Sequence, residues 1–233
     1  HNGTRIVGSG GADLQAPVHR AGVHHQDVGL GGAQGVRGGG TGPTRPTRAL
    51  RGDADVLGRQ EILEIGSQME GHPDNVAPAV FGGATVSWMN EETSEVGTLR
   101  LSPPAGIEPV VFIPDFELRT AAARAALPAT VPHGDASFNV ARGALLAAVL
   151  SGNAQASGGA DLHALLMEAT RDRLHQEQRR AAMEPSLALV DWLRSAGFAA
   201  VVSGAGPTVL SLESVGADIR RDAAGAGWRV VPL

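Results

Sequence analysis

The sequence predicts an α+β fold in which helices cover an antiparallel sheet. Three observations carry this expectation. From residue 106 onward the apolar pattern runs strand, helix, helix, strand, strand, helix, strand, which suits an antiparallel sheet with helices on one side. Upstream, residues 84–89 and 97–102 read as two strands around an acidic turn at 90–95. Between the two regions stands Pro103-Pro104-Ala105-Gly106, the strongest candidate for a domain boundary, whose plainer reading is an ordinary surface loop.

The elements follow from local pattern. Val56, Leu57, Ile62, Leu63, Ile65 and Met69 form an imperfect helical stripe that ends at Gly71. A second helix over 76–80 is closed by Gly82-Gly83. Residues 108–114 read as a buried strand, 120–127 as a helix ended by Pro128, and 135–150 as a long Ala- and Leu-rich helix. A flexible linker is expected over 151–159, then single helices over 162–177 and 185–196, the latter closed by Gly197. Strands at 198–202 and 208–212, a helix at 215–224 and a last strand at 228–231 complete the chain.

Residues 1–52 differ from everything after them. They hold 14 of the 32 glycines and six arginines against two acidic residues, Asp13 and Asp27, with no sustained apolar period. They read as disordered or as a shifted reading frame upstream of about Asp53. The chain begins at His1, so a native start further upstream is expected.

Composition narrows the function classes. With 42% hydrophobic residues, only 3% aromatics and no tyrosine, the core must be built from Ala, Val and Leu. A net charge of −5 argues against nucleic acid as a partner. No run approaches the ~20 apolar residues of a membrane span, and the absence of cysteine agrees with a reducing compartment, so a soluble cytoplasmic protein is expected. All 19 basic residues are arginine, so no lysine can cradle a phosphate, form a Schiff base or act as a base. Anionic ligands must be met by arginine, backbone amides or a metal.

Two stretches carry chemistry. Glu70-Gly71-His72-Pro73-Asp74-Asn75-Val76-Ala77-Pro78 packs two carboxylates, an imidazole and a carboxamide onto a tight turn. Its plain reading is an Asp-Asn helix cap with a solvated Glu beside it. Its functional reading has Glu70 binding a hard cation while Asp74 and Asn75 face a hydroxylated substrate. The second stretch, Ser203-Gly204-Ala205-Gly206-Pro207-Thr208, joins two strand-like runs. It is either a plain hairpin turn or a small-residue loop whose amides approach an anion.

Together these stretches resemble the GHMP small-molecule kinases, and among them the homoserine kinases of actinobacterial type. Val110-Val111-Phe112-Ile113-Pro114, Ala123-Arg124-Ala125-Ala126-Leu127-Pro128 and Asp172-Arg173-Leu174-His175-Gln176-Glu177 add to the resemblance, which runs from about Glu61 to Leu212. It implies a ribosomal-S5-like α/β N-terminal domain, present here as 53–105, and a ferredoxin-like C-terminal domain over 106–233. It implies transfer of the γ-phosphoryl of ATP to the hydroxyl of L-homoserine with Mg2+, threonine biosynthesis as the setting, and a homodimer as the assembly. Asp74 and Asn75 would be catalytic, and Glu70 the metal ligand. His72, Asn75, Arg124 and Arg179 would hold the substrate, and Gly29, Gly31, Gly204 and Gly206 the nucleotide. A bidentate arginine suits a substrate carboxylate. His133, His175 and Glu177 lack metal-ligand spacing and read as structural.

The sequence departs from the family in its first part. The family's Pro-x-x-Ala-Asn-Leu-Gly-Pro-Gly-Phe-Asp motif is absent, and its Gly-Leu-Gly-Ser-Ser-Ser-Ala-Ala loop has only Gly29-Leu30-Gly31-Gly32-Ala33 as counterpart. Weak ATP binding is expected from this. Two alternatives stay open: another GHMP kinase with a different alcohol substrate, or an impaired homoserine kinase that only folds and associates.

Overall fold

The computed structural model of the protein describes Gly29–Leu30 and residues 57–233. The readings of residues 1–52 and of the Gly31 site lie outside these residues, apart from Gly29 and Leu30.

Helix α1, Arg59–Glu70, opens with the Glu61 carboxylate accepting the Gly58 N–H at 2.6 Å. It ends where Gly71 turns left-handed at φ 85° and donates its N–H to Ser67 O at 2.8 Å. The apolar stripe of α1 is only partly buried. Leu63 and Ser67 are buried, whereas Ile62, Ile65 and Met69 are 39%, 44% and 62% exposed. Gly66 lies on the packed side, where an added Cβ would stand 2.6 Å from Val76 Cγ1. At that close approach the Leu63–Ser67 side of α1 faces α2, Val76–Phe81.

Strands β1 (Gly29–Leu30), β2 (Ala84–Met89) and β3 (Val96–Leu101) form an antiparallel sheet in the order β1-β2-β3. Leu63, Ala77 and Val96 centre its small core, with Val76, Phe81 and Met89 packed around them.

The second sheet holds β4 (Val110–Ile113), β5 (Ala200–Val202), β6 (Val209–Ser211) and β7 (Arg229–Pro232) in the order β5-β6-β4-β7, all antiparallel. With its intervening helices this is the ferredoxin-like connectivity. The expectation of helices on one side is wrong. Val110, Phe112, Ala200 and Val209 pack with residues of α7 (Glu184–Ser195) and α8 (Ala217–Gly225). The alternate residues Val111, Val201 and Leu210 pack with α4 (His133–Leu150) and α5 (Leu162–Ala169). The strands are apolar at successive positions, so both faces demand cover.

The single helix expected over 162–177 is also corrected. It breaks after Ala169, and a short α6 begins at Gln176 and ends at Arg179. Thr170 Oγ1 bonds back to Leu166 O at 2.7 Å, and the Asp172 carboxylate accepts the N–H groups of His175 and Gln176 at 2.8 and 2.7 Å. These local side-chain bonds replace the helix ladder. Helix α3, Thr120–Ala125, stops before Pro128. No helix among the described residues is long and apolar enough to cross a membrane.

Candidate active site

The turn between α1 and α2 is not a side-chain cap. Asn75 stands at the N-cap position of α2, but its side chain makes no capping bond. Asp74 Oδ1 instead accepts the Asn75 N–H at 3.0 Å and contacts Nδ1 of His72. His72 Nε2 lies 3.2 Å from Nη2 of Arg124, on α3. A guanidinium can only donate, so Nε2 is the acceptor and the imidazole proton sits on Nδ1, toward Asp74. The chain Arg124–His72–Asp74 fixes the orientation of the Asp74 carboxylate. Its second oxygen, Oδ2, has no hydrogen bond to a described residue and can accept one from a hydroxyl. Pro78 falls in the first turn of α2, where its missing N–H costs nothing.

Glu70, the last residue of α1, is exposed and makes no side-chain hydrogen bond among the described residues. No group of three or more His, Asp or Glu side chains gathers as a metal cage among those residues. The donor chemistry fits magnesium in its commonest form, one or two carboxylates completed by phosphate oxygens and water. It does not fit an all-protein site.

The glycine loop connects β5 to β6 as a hairpin, so the plainer reading of its connectivity holds. Ser203 N donates to Thr208 O at 2.8 Å and Gly206 N to Ser203 O at 3.0 Å. Gly206, at φ 84°, has no room for a side chain: a Cβ would lie 2.7 Å from Met183 Sδ. Gly204, at φ 58°, has open space around it. Ser186 Oγ, on α7, donates to Pro207 O at 2.6 Å and ties the loop to that helix.

Arg179 is placed differently from a surface ligand. It is 9% exposed, with Nε donating to Ala123 O at 3.2 Å and Nη1 to Gly204 O at 3.1 Å. It therefore joins the helix that carries Arg124 to the glycine loop. The structure thus brings His72, Asp74 and Arg124 into one chain, and Arg179 and Gly204 into contact.

Sequence reasoning missed the residue beneath this arrangement. Asp172 accepts five hydrogen bonds: from Asn139 Nδ2 at 2.6 Å, Leu174 N at 3.3 Å, His175 Nδ1 at 2.9 Å, His175 N at 2.8 Å and Gln176 N at 2.7 Å. Burial pushes its carboxyl up, but the donors, led by the His175 ring, outweigh burial and hold it well below the usual carboxylate range. The available signal was an Asp followed three and four residues later by a short polar helix start, the pattern of an N-terminal cap.

Comparison with known proteins shows what the chain is similar to. Residues 146–221 match the family model described as GHMP kinases C terminal. Over that region the chain is similar in sequence to the GHMP kinases. Curated proteins to which it is similar include homoserine kinases. That of Streptomyces avermitilis is 46% identical over 168 residues, covering 72% of this chain and 52% of the relative. That of Clavibacter michiganensis is 46% identical over 162 residues, covering 70% and 46%. The chain spans about half the length of these relatives. The crystal structure of homoserine kinase from Cytophaga hutchinsonii shares the fold at a TM-score of 0.61 and 18% identity, over 76% of this chain and 57% of that one.

Proposed function

We propose that the protein is a homoserine kinase, transferring the γ-phosphoryl of ATP to the side-chain hydroxyl of L-homoserine to give O-phospho-L-homoserine for threonine biosynthesis. The observation that supports this most is the Arg124–His72–Asp74 chain, in a sequence 46% identical to homoserine kinases over the matched region. Phosphoryl transfer depends on positioning and charge neutralisation more than on covalent chemistry. Asp74 Oδ2 and Asn75 orient the substrate hydroxyl, whose oxygen forms the new bond to phosphorus as the bond to the β,γ-bridging oxygen breaks and ADP leaves, the hydroxyl proton passing to Asp74 Oδ2 or to water. Arg124, from an exposed position, and Arg179, from a buried one, supply positive charge for the substrate carboxylate, with His72 beside it. Gly29, Gly31, Gly204 and Gly206 belong to the nucleotide side. Mg2+, when bound, supplies charge neutralisation at the phosphate oxygens, and Glu70 is the residue that would hold it. In this reading residues 53–105 and 106–233 are the two family domains, the protein is cytoplasmic and a homodimer, and it acts on a small molecule.

A panel of alcohols with ATP, read as ADP release, tests the proposal. Homoserine should be preferred over mevalonate and over sugars, at a low turnover because residues 1–52 lack the serine-rich loop. Preference for another alcohol would overturn it. That same departure favours a second reading, a chain that folds and associates without turning over, which homoserine binding without ADP release would identify.

A further inference from the structure

Arg179 is the only described side chain that hydrogen-bonds both Ala123, next to Arg124, and Gly204. What sets Arg179 is therefore a question for the site. Its helix α6 spans four residues, too short to hold itself. The start of α6 is held by Asp172, which takes the N–H groups of His175 and Gln176 and the His175 ring. Asp172 is anchored in turn to α4 through Asn139 Nδ2, while Asn139 Oδ1 accepts the Arg173 N–H at 2.9 Å. From the same turn, Gln176 Oε1 accepts the Val202 N–H at 2.8 Å, at the end of β5 where the glycine loop begins. The hydrogen bonds that tie α6 to α4 and to the end of β5 thus gather around a single carboxylate, beside the apolar packing of Ala123, Val202 and Ala205.

We infer that Asp172 is a positioning residue for the substrate side of the site, setting Arg179 and thereby the spacing between the Arg124 helix and the glycine loop. It touches no reacting atom. It acts by fixing α6, and α6 fixes two main-chain carbonyls and one strand end. A rigid carboxylate suits this task because it accepts from five donors at once, whereas a carboxamide presents two hydrogens of its own to them.

The test is Asp172→Asn in the full chain, with Glu177→Gln as a control that removes an exposed charge from the same helix. The KM for homoserine should rise about tenfold or more while the KM for ATP stays within about twofold, the scale of losing one charge-assisted contact. Amide hydrogen exchange should speed up at Val202 and Gly206, with α8 unchanged, and the control should show neither effect. If Asp172→Asn fails to fold, Asn139→Ala decides, with the same direction and a smaller size. Equal rises in both KM values, or exchange unaltered at Val202 and Gly206, would overturn the inference. The kinetic arm rests on the homoserine kinase reading and fails with it if the wild-type chain phosphorylates no homoserine. The exchange arm does not, and then decides alone.

Discussion

Nη2 of Arg124 lies 3.2 Å from Nε2 of His72, a contact between residues 52 positions apart that joins α3 to the turn after α1. It determines which imidazole nitrogen carries the proton, and so which way the Asp74 carboxylate is held. Arg124→Ala and His72→Ala should each lower kcat/KM for homoserine, and the double variant should lose less than the sum of the two. A coupling of about 0.5–3 kcal/mol is the scale for groups in one hydrogen-bonded chain. Additive losses in the four-protein cycle would show that the two side chains act separately.

Asp172 predicts an acid dependence of stability. Its folded carboxyl is held below the usual range, so its contribution is fully present above the unfolded value of ~3.9 and is lost as pH falls through the lower folded value. Asp172→Asn should destabilise the protein by about 2–4 kcal/mol at pH 7, through lost charge-assisted bonds and stranded donors. The gap between the two proteins in urea melts should stay level down to about pH 4 and then narrow. A gap that narrows above that pH would assign the effect to another group.

The two glycines of the loop should behave differently. Gly206→Ala meets both a left-handed backbone and the Met183 sulfur, and should cost about 2–4 kcal/mol, combining a backbone penalty with overpacking. Gly204→Ala meets open space and should cost only the backbone penalty of ~1–2 kcal/mol. Thermal melts of the two variants check this, and equal losses would remove Met183 from the explanation.

Glu70→Gln should raise the Mg2+ concentration for half-maximal turnover by roughly tenfold or more, the scale seen when support of a metal site is removed. A titration curve that does not move would take Glu70 out of the metal site.

What the sequence made legible was local pattern and the family-bearing motifs. The helices over 59–70 and 184–195 were readable because their apolar periods and glycine stops are local, whereas the ferredoxin-like arrangement of the second sheet was an expectation from the family resemblance. The break after Ala169 was not readable, because the donors to Asp172 come from Asn139 on α4 as well as from residues 174–176, and the cap signal at Asp172 is weak without that long-range partner. The double cover of the second sheet was hidden for a related reason: three- and four-residue strands are too short to show whether one face or two is apolar. At the site, His72 and Asp74 could be named from the turn, but their link to Arg124 is a long-range contact. Arg179 was recognisable as a needed cation, while its burial against Ala123 O and Gly204 O depends on the loop that the fold brings to it.

In the proposed reaction Asp74, oriented by His72 and Arg124, serves the substrate hydroxyl. Steady-state kinetics of Asp74→Asn beside the wild-type chain test it most directly, with the product followed by phosphorus NMR. The wild-type chain should form O-phospho-L-homoserine. The variant should lose about a hundredfold or more in kcat, the range for a positioned proton-handling group, with the KM for ATP within about twofold. Near-normal turnover with a selectively raised KM for ATP would place Asp74 on the nucleotide side and away from the substrate hydroxyl.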